Sequence, residues 1–220
     1  MKRLFPGFLL IFLSTNLFAQ QFKLPEYGFR LGLTAHPTIG WVKPETGKSN
    51  GVSLGFSYGL LGDFNFAENY SFSTALTITT INGESTEAQT VNSSQIAIER
   101  KYKLQYIEIP LTIKLRTGQL GDVRWYGQFG LSNDFKIGAK QSGDGVVKDG
   151  GQSPDSERIS KYTRFYRAGL IIGAGAEFDV ADHTTVAAGL SLNNGFTNIR
   201  SSEANSLRNH YIGLNIGVFF

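Results

Sequence analysis

The sequence of 220 residues contains no cysteine, and it has little net charge outside its first residues. The lack of cysteine excludes disulfides, thiolate metal sites and an N-terminal cysteine that carries a lipid anchor. Lys and Arg number 21 and Asp and Glu number 18; residues 1–19 hold two of the basic residues and no acidic one, which leaves 19 against 18. A nearly neutral chain lacks the basic character that favours nucleic-acid binding.

A long hydrophobic run is also missing from the start of the chain, where a shorter apolar stretch has the organisation of a secretory signal peptide. Two basic residues precede the apolar residues 8–13, and Ala19 is a small residue at the expected cleavage point. The stretch is too short for a transmembrane helix, which needs about 20 residues, and it lacks the polar stripe of the alternative, a buried amphipathic helix. We predict a cleaved signal peptide, residues 1–19, and one mature domain, residues 20–220.

The clearest pattern that is present is a period of two in residues 103–116. From Ile107 to Leu115 the odd positions are all aliphatic, whereas the even positions carry Glu, Pro, Thr and Lys. This alternation indicates a strand, because successive side chains point to opposite faces of a pleated backbone. Similar alternation predicts eight strands, at 29–41, 52–66, 70–78, 103–116, 123–135, 164–180, 184–193 and 210–220.

The predicted connections alternate between long polar segments and tight turns. The long segments are residues 43–50, 82–101, 138–161 and 194–209, and the tight turns lie at 67–69, 117–122 and 181–183. There is no helical period after residue 19, no repeat of fixed length and no interdomain linker. Eight consecutive antiparallel strands can close without leaving an edge. The sequence therefore predicts an all-β protein, an eight-stranded antiparallel up-and-down β-barrel.

The two faces of the predicted strands differ in a way that favours a transmembrane barrel. The apolar face of all eight strands carries no Asp, Glu, Lys or Arg. The other face is rich in Gly, Ser and Thr and carries Arg30, Asp63, Glu108, Lys114, Arg116, Arg124, Arg167 and Glu177. A soluble lipocalin-like barrel would instead cover its outside with many Lys and Glu. An Arg or Lys facing lipid costs about 2–4 kcal/mol near the bilayer midplane, so the charged face should line the lumen.

That lumen is narrow, because an eight-stranded barrel is just wide enough for its own side chains. We therefore expect it to be filled, with Glu108 and Glu177 paired with Arg30, Arg167 or Arg124. The aromatic residues favour the same orientation, since they form two groups that resemble the girdles of outer-membrane barrels. One group lies by the short turns (Phe29, Phe66, Tyr70, Trp125, Phe178 and Phe220) and the other by the long loops (Trp41, Tyr102 and Tyr166).

The apolar positions change phase within the central strand. They are even at Tyr102, Leu104 and Tyr106 and odd from Ile107 onward. A β-bulge produces such a change, so we predict a bulge near residues 106–107 that keeps the apolar side chains on the lipid face. In the alternative there is no bulge, and Tyr102 and Leu104 lie above the half-buried part of the strand.

The segment 106–111 (YIEIPL), followed by Lys114 and the turn at residues 117–118, resembles the motif of the PorT-like outer-membrane β-barrel domain family of Bacteroidota. The leader ending in Phe-Ala-Gln and the closing residues 217–220 (GVFF) are similar to that family as well. The resemblance spans essentially the whole mature chain. It implies an eight-stranded barrel in the outer membrane, and named members of the family are implicated in secretion and gliding.

Few residues suggest chemistry. His36 and Ser132 are on the lumen face and His210 is on the opposite face, but no spacing identifies a nucleophile and its base. Residues 173–175 (GAG) lie inside a strand without a following helix, so they are expected to relieve crowding in the lumen. Asp144, Asp149 and Asp155 match no calcium loop. Glu108 is expected to be a structural ion-pair partner and not an acid–base group. We predict no catalytic, cofactor-binding or metal-binding residues.

The sequence thus favours a non-enzymatic barrel of the cell outer membrane. We expect a monomer with a plugged lumen that contacts membrane lipid and serves as a structural or interaction platform, with a possible protein partner at the long loops and no nucleic acid. The alternatives are an outer-membrane lipid-modifying enzyme and a soluble lipocalin-like binder of small ligands.

Overall fold

A computed structural model describes residues 28–91, 94–143, 157–201 and 206–220. The predicted signal peptide lies outside these residues. The described residues form nine strands: β1 (Phe29–Pro44), β2 (Lys48–Ala67), β3 (Tyr70–Val91), β4 (Ser94–Arg116), β5 (Val123–Ser142), the two-residue β6 (Glu157–Arg158), β7 (Tyr166–Ala181), β8 (Thr184–Gly195) and β9 (Leu207–Phe219). A single 3₁₀ turn, Ser160–Tyr162, is present among them. Within the same ranges no helix is long and apolar enough to cross a membrane.

The eight long strands close into an antiparallel barrel, as predicted. The strand order is β4-β3-β2-β1-β9-β8-β7-β5, and β5 pairs with β4 to complete the ring. The two-residue strand β6 adds to β5 outside this order, where Lys140 and Gln141 face Arg158 and Glu157. The tight turns after β2, β4 and β7 define one end of the barrel, called here the turn end, and the longer connections define the loop end.

The two faces of the wall are those that the alternation predicts. Along β1, Leu31, Leu33 and Ile39 are exposed on the outside, while Thr34, His36 and Thr38 between them are buried in the lumen. Large apolar side chains are exposed on the outside of every long strand, whereas buried Ser, Thr, Asn and charged residues line the inside. This inverted arrangement is stable where the outside meets lipid.

A break in register lies where a bulge is predicted, but the extra residue belongs to the neighbouring strand. Gln105 faces Gly138 and Tyr106 faces Lys136, so Ile137 of β5 is left without an opposite residue. The strand that changes phase is therefore β5, because its inward positions are even at Asp134 and odd at Ala139.

Strand β4 keeps one phase throughout, and Tyr102, Leu104 and Tyr106 all point into the barrel, each at most 3% exposed. The expectations that these residues face lipid and that Tyr102 joins the outer aromatic belt were wrong. They belong to a buried cluster, called here the apolar cap, that fills the lumen at the loop end and comprises Val42, Ile81, Tyr102, Leu104, Tyr106, Ala139, Ile159, Ile199, Leu207 and Tyr211.

The long connections are shorter than predicted because strands continue beyond the apolar band. Residues 82–101 were expected to be a polar loop, yet β3 and β4 pair from Tyr70↔Leu115 to Val91↔Ser94. The loop expected at 43–50 shrinks to three residues, since β1 ends at Pro44 and β2 begins at Lys48. The loop expected at 138–161 begins after Ser142, and its residues 144–156 lie outside the described residues. Polar outward side chains allow these extensions to stand in water.

Candidate functional site

The lower lumen, near the turn end, holds a network of buried charges called here the lower cluster. Lys114 Nζ lies 2.7 Å from Asp63 Oδ2 and 3.3 Å from Glu177 Oε1. Arg30 Nη2 reaches the same two carboxylates at 2.8 and 3.1 Å. Each carboxylate thus lies between two cations, which offsets the loss of hydration that burial imposes on every charge. The four residues tie β1, β2, β4 and β7 together across the lumen.

Two further arginines lie below this network at the mouth of the turn end. Arg116 donates to Asn65 and Ser71, and its Nη1 lies 3.8 Å from Glu177. Arg124 binds Asp179, at 2.6 Å from each carboxylate oxygen. The expectation that Glu177 pairs with one of the lumen arginines is therefore confirmed by Arg30, whereas Arg124, another of the expected alternatives, pairs with Asp179. Glu177 faces Arg124 directly across the β5–β7 seam, but its carboxylate is bound by Arg30 and Lys114. Arg124 pairs instead with Asp179, two residues further along β7.

A second set of buried groups, the upper cluster, lies nearer the loop end. Arg167 is 1% exposed and forms an ion pair with Asp134, which faces it on β5. Its guanidinium also donates to Asn193 Oδ1 at 2.9 Å and to the carbonyl oxygen of Asn209 at 3.0 Å. The missing side chain of Gly195 leaves room for this cation, because a Cβ there would lie 2.7 Å from Arg167 Nη2.

Glu108 is held by neutral donors. Its Oε1 accepts hydrogen bonds from Tyr211 Oη at 2.6 Å, Asn193 Nδ2 at 3.0 Å and Ser132 Oγ at 3.3 Å. Among the described residues no Lys, Arg or His nitrogen lies within 4.0 Å of it, so the predicted ion pair was wrong. Asp134, which faces Glu108 on β5, takes the nearest arginine instead.

Between the two clusters lies a lumen cavity of about 110 Å³, lined by His36, Ser57, Lys114, Glu108 and Tyr211 among others. A space of this size has room for several water molecules, and the polar side chains in its wall offer them hydrogen-bond partners. His36 is in the lumen, as predicted, and its Nδ1 is 3.1 Å from Thr34 Oγ1.

The residues considered for acyl-transfer chemistry are not brought together. Ser132 donates its hydrogen bond to acidic neighbours, and His36 contacts Thr34. His210 is on the outward phase and stacks on Trp41, with ring centroids 5.5 Å apart. Within the described residues, therefore, no serine is hydrogen-bonded to a histidine in the way that activates a nucleophile.

The remaining sequence candidates are structural or lie elsewhere. Gly173 and Gly175 face the lumen of β7, and a Cβ at Gly175 would lie 2.6 Å from Tyr126 Oη, so glycine does relieve crowding there. Asp144, Asp149 and Asp155 lie outside the described residues. Over the described ranges, no group of three His, Cys, Asp or Glu residues is placed to hold a metal ion.

At the loop end, ion pairs and hydrogen bonds hold the connection between β8 and β9 against the β3–β4 hairpin. Arg200 Nη2 lies 2.6 Å from both carboxylate oxygens of Glu87, and Tyr102 Oη donates to Glu87 Oε1 at 2.7 Å. Burial opposes ionisation of Glu87, but hydrogen bonds from Arg200 and Tyr102 and the charge of Arg200 outweigh it, so the pKa of this carboxyl lies below its ordinary value. Next to Arg200, Ile199 is buried in the apolar cap.

The segment before β7 is anchored in a similar way. Lys136 Nζ donates to the carbonyl oxygen of Ser160 at 2.7 Å and to Thr163 Oγ1 at 2.8 Å. Ile159 is buried in the apolar cap beneath this segment. Sequence reasoning missed these anchors, since Lys136, Ile159 and Glu87 all fell in or beside segments that it treated as polar loops. Asp134 was also missed, although its even position on the charged face of strand five was a usable signal.

The family described as outer membrane protein beta-barrel domain matches residues 18–201. No curated protein sequence matches the chain significantly. Among solved structures, the chain is similar to Neisserial surface protein A, with 14% identity and a TM-score of 0.46 over 87% of this chain and 97% of that one.

Two further solved structures are similar. Ail of Yersinia pestis shares 16% identity with a TM-score of 0.41, over 87% of this chain and 98% of that one. OprG of Pseudomonas aeruginosa shares 10% identity with a TM-score of 0.46, over 88% and 96% of the two chains. The family match spans most of the chain, and it agrees with a closed barrel whose outer wall is apolar. The chain therefore belongs to the outer membrane protein beta-barrel domain family, and it is a barrel of the outer membrane.

Proposed function

We propose that this protein is a non-enzymatic, monomeric barrel of the PorT-like type, with a plugged lumen and a loop end that serves as a platform for a protein partner. The observation that carries the proposal is the apolar cap. Ten buried side chains from the strands and from the connections before β7 and β9 pack together across the loop end. A flexible binding loop loses entropy when it is ordered by a partner, whereas an anchored loop has already lost it, which favours binding.

The plugged lumen is supported by the two charge clusters beneath the cap. Lys114, Glu177 and Asp63 cross the lower lumen, and Arg167, paired with Asp134 on the neighbouring strand, extends to Asn193 and Asn209 in the upper lumen. Ions passing through would have to displace buried pairs whose separation leaves charges without partners. Free diffusion of solutes through this lumen is therefore disfavoured.

The non-enzymatic role is supported by the way in which the lumen groups satisfy one another. Glu108 accepts hydrogen bonds from Tyr211, Asn193 and Ser132, so its carboxylate is engaged in the structure. The alternative of a lipid-modifying enzyme needs a histidine and a nucleophile that meet near the lipid, and His36 contacts Thr34 inside the lumen.

Ion conductance in planar lipid bilayers tests the plug. We expect no steady open-channel current from the refolded wild type, and brief openings from Ile199→Asn, because a polar group in the cap weakens the packing there. The matched control is Tyr162→Asn, at a residue that is 69% exposed at the same end, and it should remain closed. A steady current through the wild type would contradict the plugged lumen.

The platform and the PorT-like assignment need a test in the cell. A photo-crosslinking side chain at the exposed Tyr162 should form one discrete adduct with a protein, whereas the same group at the lipid-facing Leu111 should not.

Deletion of the gene tests the PorT-like role. It should impair secretion or gliding of the source bacterium, and expression of the wild-type barrel should restore the lost process. Normal secretion and gliding after deletion would contradict the PorT-like role.

A further inference from the structure

Three exposed cations lie directly opposite one another on the outer wall near the loop end. Lys103 of β4 faces Lys140 of β5, and Lys140 faces Arg158 of β6. All three side chains are exposed, and we call them the basic row. Opposite residues on one face of a sheet have Cβ atoms about 4.5–5.5 Å apart, and like charges in such pairs are destabilising. The row therefore weakens the sheet that carries it.

The described part of the chain does not neutralise this repulsion. Lys101, one position along on the same outward face, lies 3.5 Å from Glu84, which shows how a neighbouring carboxylate could balance a lysine here. Among residues 28–87, 97–143, 158–201 and 206–220, no carboxylate lies within 4.0 Å of any member of the basic row. The pattern recurs on another seam of the barrel, where the exposed Lys43 of β1 faces the exposed Arg208 of β9.

The height of the basic row relative to the apolar wall indicates what it meets. Below it, Ile107 faces Phe135, whose ring lies 5.7 Å from that of Tyr166 in the outer aromatic belt. Lys103 lies four residues before Ile107 in β4, on the side of the loop end. Four residues rise about 13 Å, or about 10 Å along the membrane normal for a strand tilted by about 40°. This height lies a few ångströms above the layer of lipid head groups, which is about 5–7 Å thick in each leaflet. Long lysine and arginine side chains bend so that their charged ends lie at the head groups, so the row can reach lipid phosphates from the side.

We propose that the basic row is a binding site for a phosphorylated lipid of the outer leaflet, which places its phosphate groups against Lys140 and one or both of its neighbours. Lysine and arginine donate charge-assisted hydrogen bonds to phosphate oxygens. An anion between the cations removes the repulsion that the empty row suffers, so binding of the lipid stabilises the folded barrel. A lateral position beside the aromatic belt suits a lipid, whose acyl chains can lie against Phe135 and Ile137 below.

The central position of Lys140 makes one substitution informative, because this residue belongs to both like-charge pairs. The barrel, refolded in a neutral maltoside detergent, is titrated with bis-phosphorylated lipid A, and the retained lipid is measured by native mass spectrometry. Each cation near a lipid surface contributes enough that Lys140→Gln should weaken retention about fivefold. The control Lys48→Gln removes an exposed lysine that faces Thr86 and not another cation, so it should retain lipid as the wild type does.

A second readout separates a binding role from a structural one. In detergent without lipid, Lys140→Gln should make the barrel more resistant to urea than the wild type, since it removes two repulsive pairs. In the presence of the lipid the order should reverse. A merely structural lysine would give lower resistance in both conditions, and that result would overturn the proposal.

Two further measurements identify which chemical group binds the basic row. Lipid A from which the phosphates have been removed should be retained much less well by the wild type, and equal retention would overturn the assignment to phosphate. Millimolar inorganic phosphate should not displace the lipid, because the acyl chains add to its affinity. Displacement at that concentration would assign the row to free phosphate and would overturn the lipid site.

Discussion

Arg30 of β1 and Glu177 of β7 are separated by two strands in the wall of the barrel, yet Arg30 Nη2 lies 3.1 Å from Glu177 Oε1 across the lumen. Lys114 reaches the same carboxylate from the opposite side, at 3.3 Å. These contacts exist only when the barrel is closed, so the lower cluster links the stability of distant strands.

Replacement of Lys114 tests this link. Lys114→Met leaves Asp63 and Glu177 buried with one cation fewer, and removing one partner of a buried ion pair typically costs about 3–5 kcal/mol. We expect a loss of about 3 kcal/mol in the free energy of unfolding, because Arg30 still contacts both carboxylates. Urea unfolding in lipid vesicles, followed by tryptophan fluorescence, measures it.

Two comparisons make the Lys114 result specific. The double variant Asp63→Leu with Lys114→Met removes both members of one pair and should recover much of the stability, since apolar replacements of buried pairs are often neutral. Lys48→Met, at an exposed residue, should change little. Wild-type stability of Lys114→Met would show that the cluster contributes nothing to closure.

Gly195 is predicted to be essential because its missing side chain leaves the space that the Arg167 guanidinium occupies. A Cβ on Gly195 would lie 2.3 Å from the carbonyl oxygen of Asn209 and 2.7 Å from Arg167 Nη2. Gly195→Ala should therefore lower the free energy of unfolding by about 1–3 kcal/mol through overpacking. At Gly118 a Cβ would meet nothing within 4 Å, so Gly118→Ala serves as the control and should be neutral or stabilising by up to about 1 kcal/mol. Equal effects at the two sites would refute the steric explanation.

Attachment of the β8–β9 connection should depend on acid pH. The pKa of Glu87 is held below its ordinary value, so its interaction with Arg200 contributes full stability above the unfolded pKa, about 4.3, and loses it as the pH falls through the lower folded value. Hydrogen exchange of residues 196–201 should be slow at pH 7 and faster below pH 4 after correction for intrinsic rates. Glu87→Gln should exchange quickly at both pH values; protection that survives in this variant would argue against the ion pair.

The extra residue in β5 is predicted to be dispensable for the direction of the side chains beyond it. Deletion of Ile137 keeps Ala139 opposite Leu104 and Lys140 opposite Lys103, so the following positions point as before and the free energy of unfolding should fall by less than about 1 kcal/mol. Insertion of one alanine between Ala139 and Lys140 would instead turn the following positions over and move the charged Lys140 inward, opposite Tyr102. Burial of a charge without a partner should lower the free energy of unfolding by more than about 2 kcal/mol. Circular dichroism melting curves in detergent can compare the two variants.

The local pattern of the sequence determined the eight strands and the direction of most side chains. Alternation is a property of the backbone within one strand, so Leu31, Leu33 and Ile39 could be placed outside and Thr34 and His36 inside without knowledge of their neighbours. The absence of charge on the apolar face then indicated lipid, because the cost of a charge there is large.

Tertiary structure decided which inward residues meet. Partners across the lumen depend on closure and on the stagger of the strands, which bring Lys114 to Asp63 and Glu108 to Tyr211, while Arg167 meets Asp134 on the neighbouring strand. The same geometry placed the extra residue in β5 and directed the side chain of Tyr102 inward, where it packs in the apolar cap. The sequence shows that the phase changes near residue 106, but which of two paired strands accommodates it depends on how both pack around the filled mouth of the barrel.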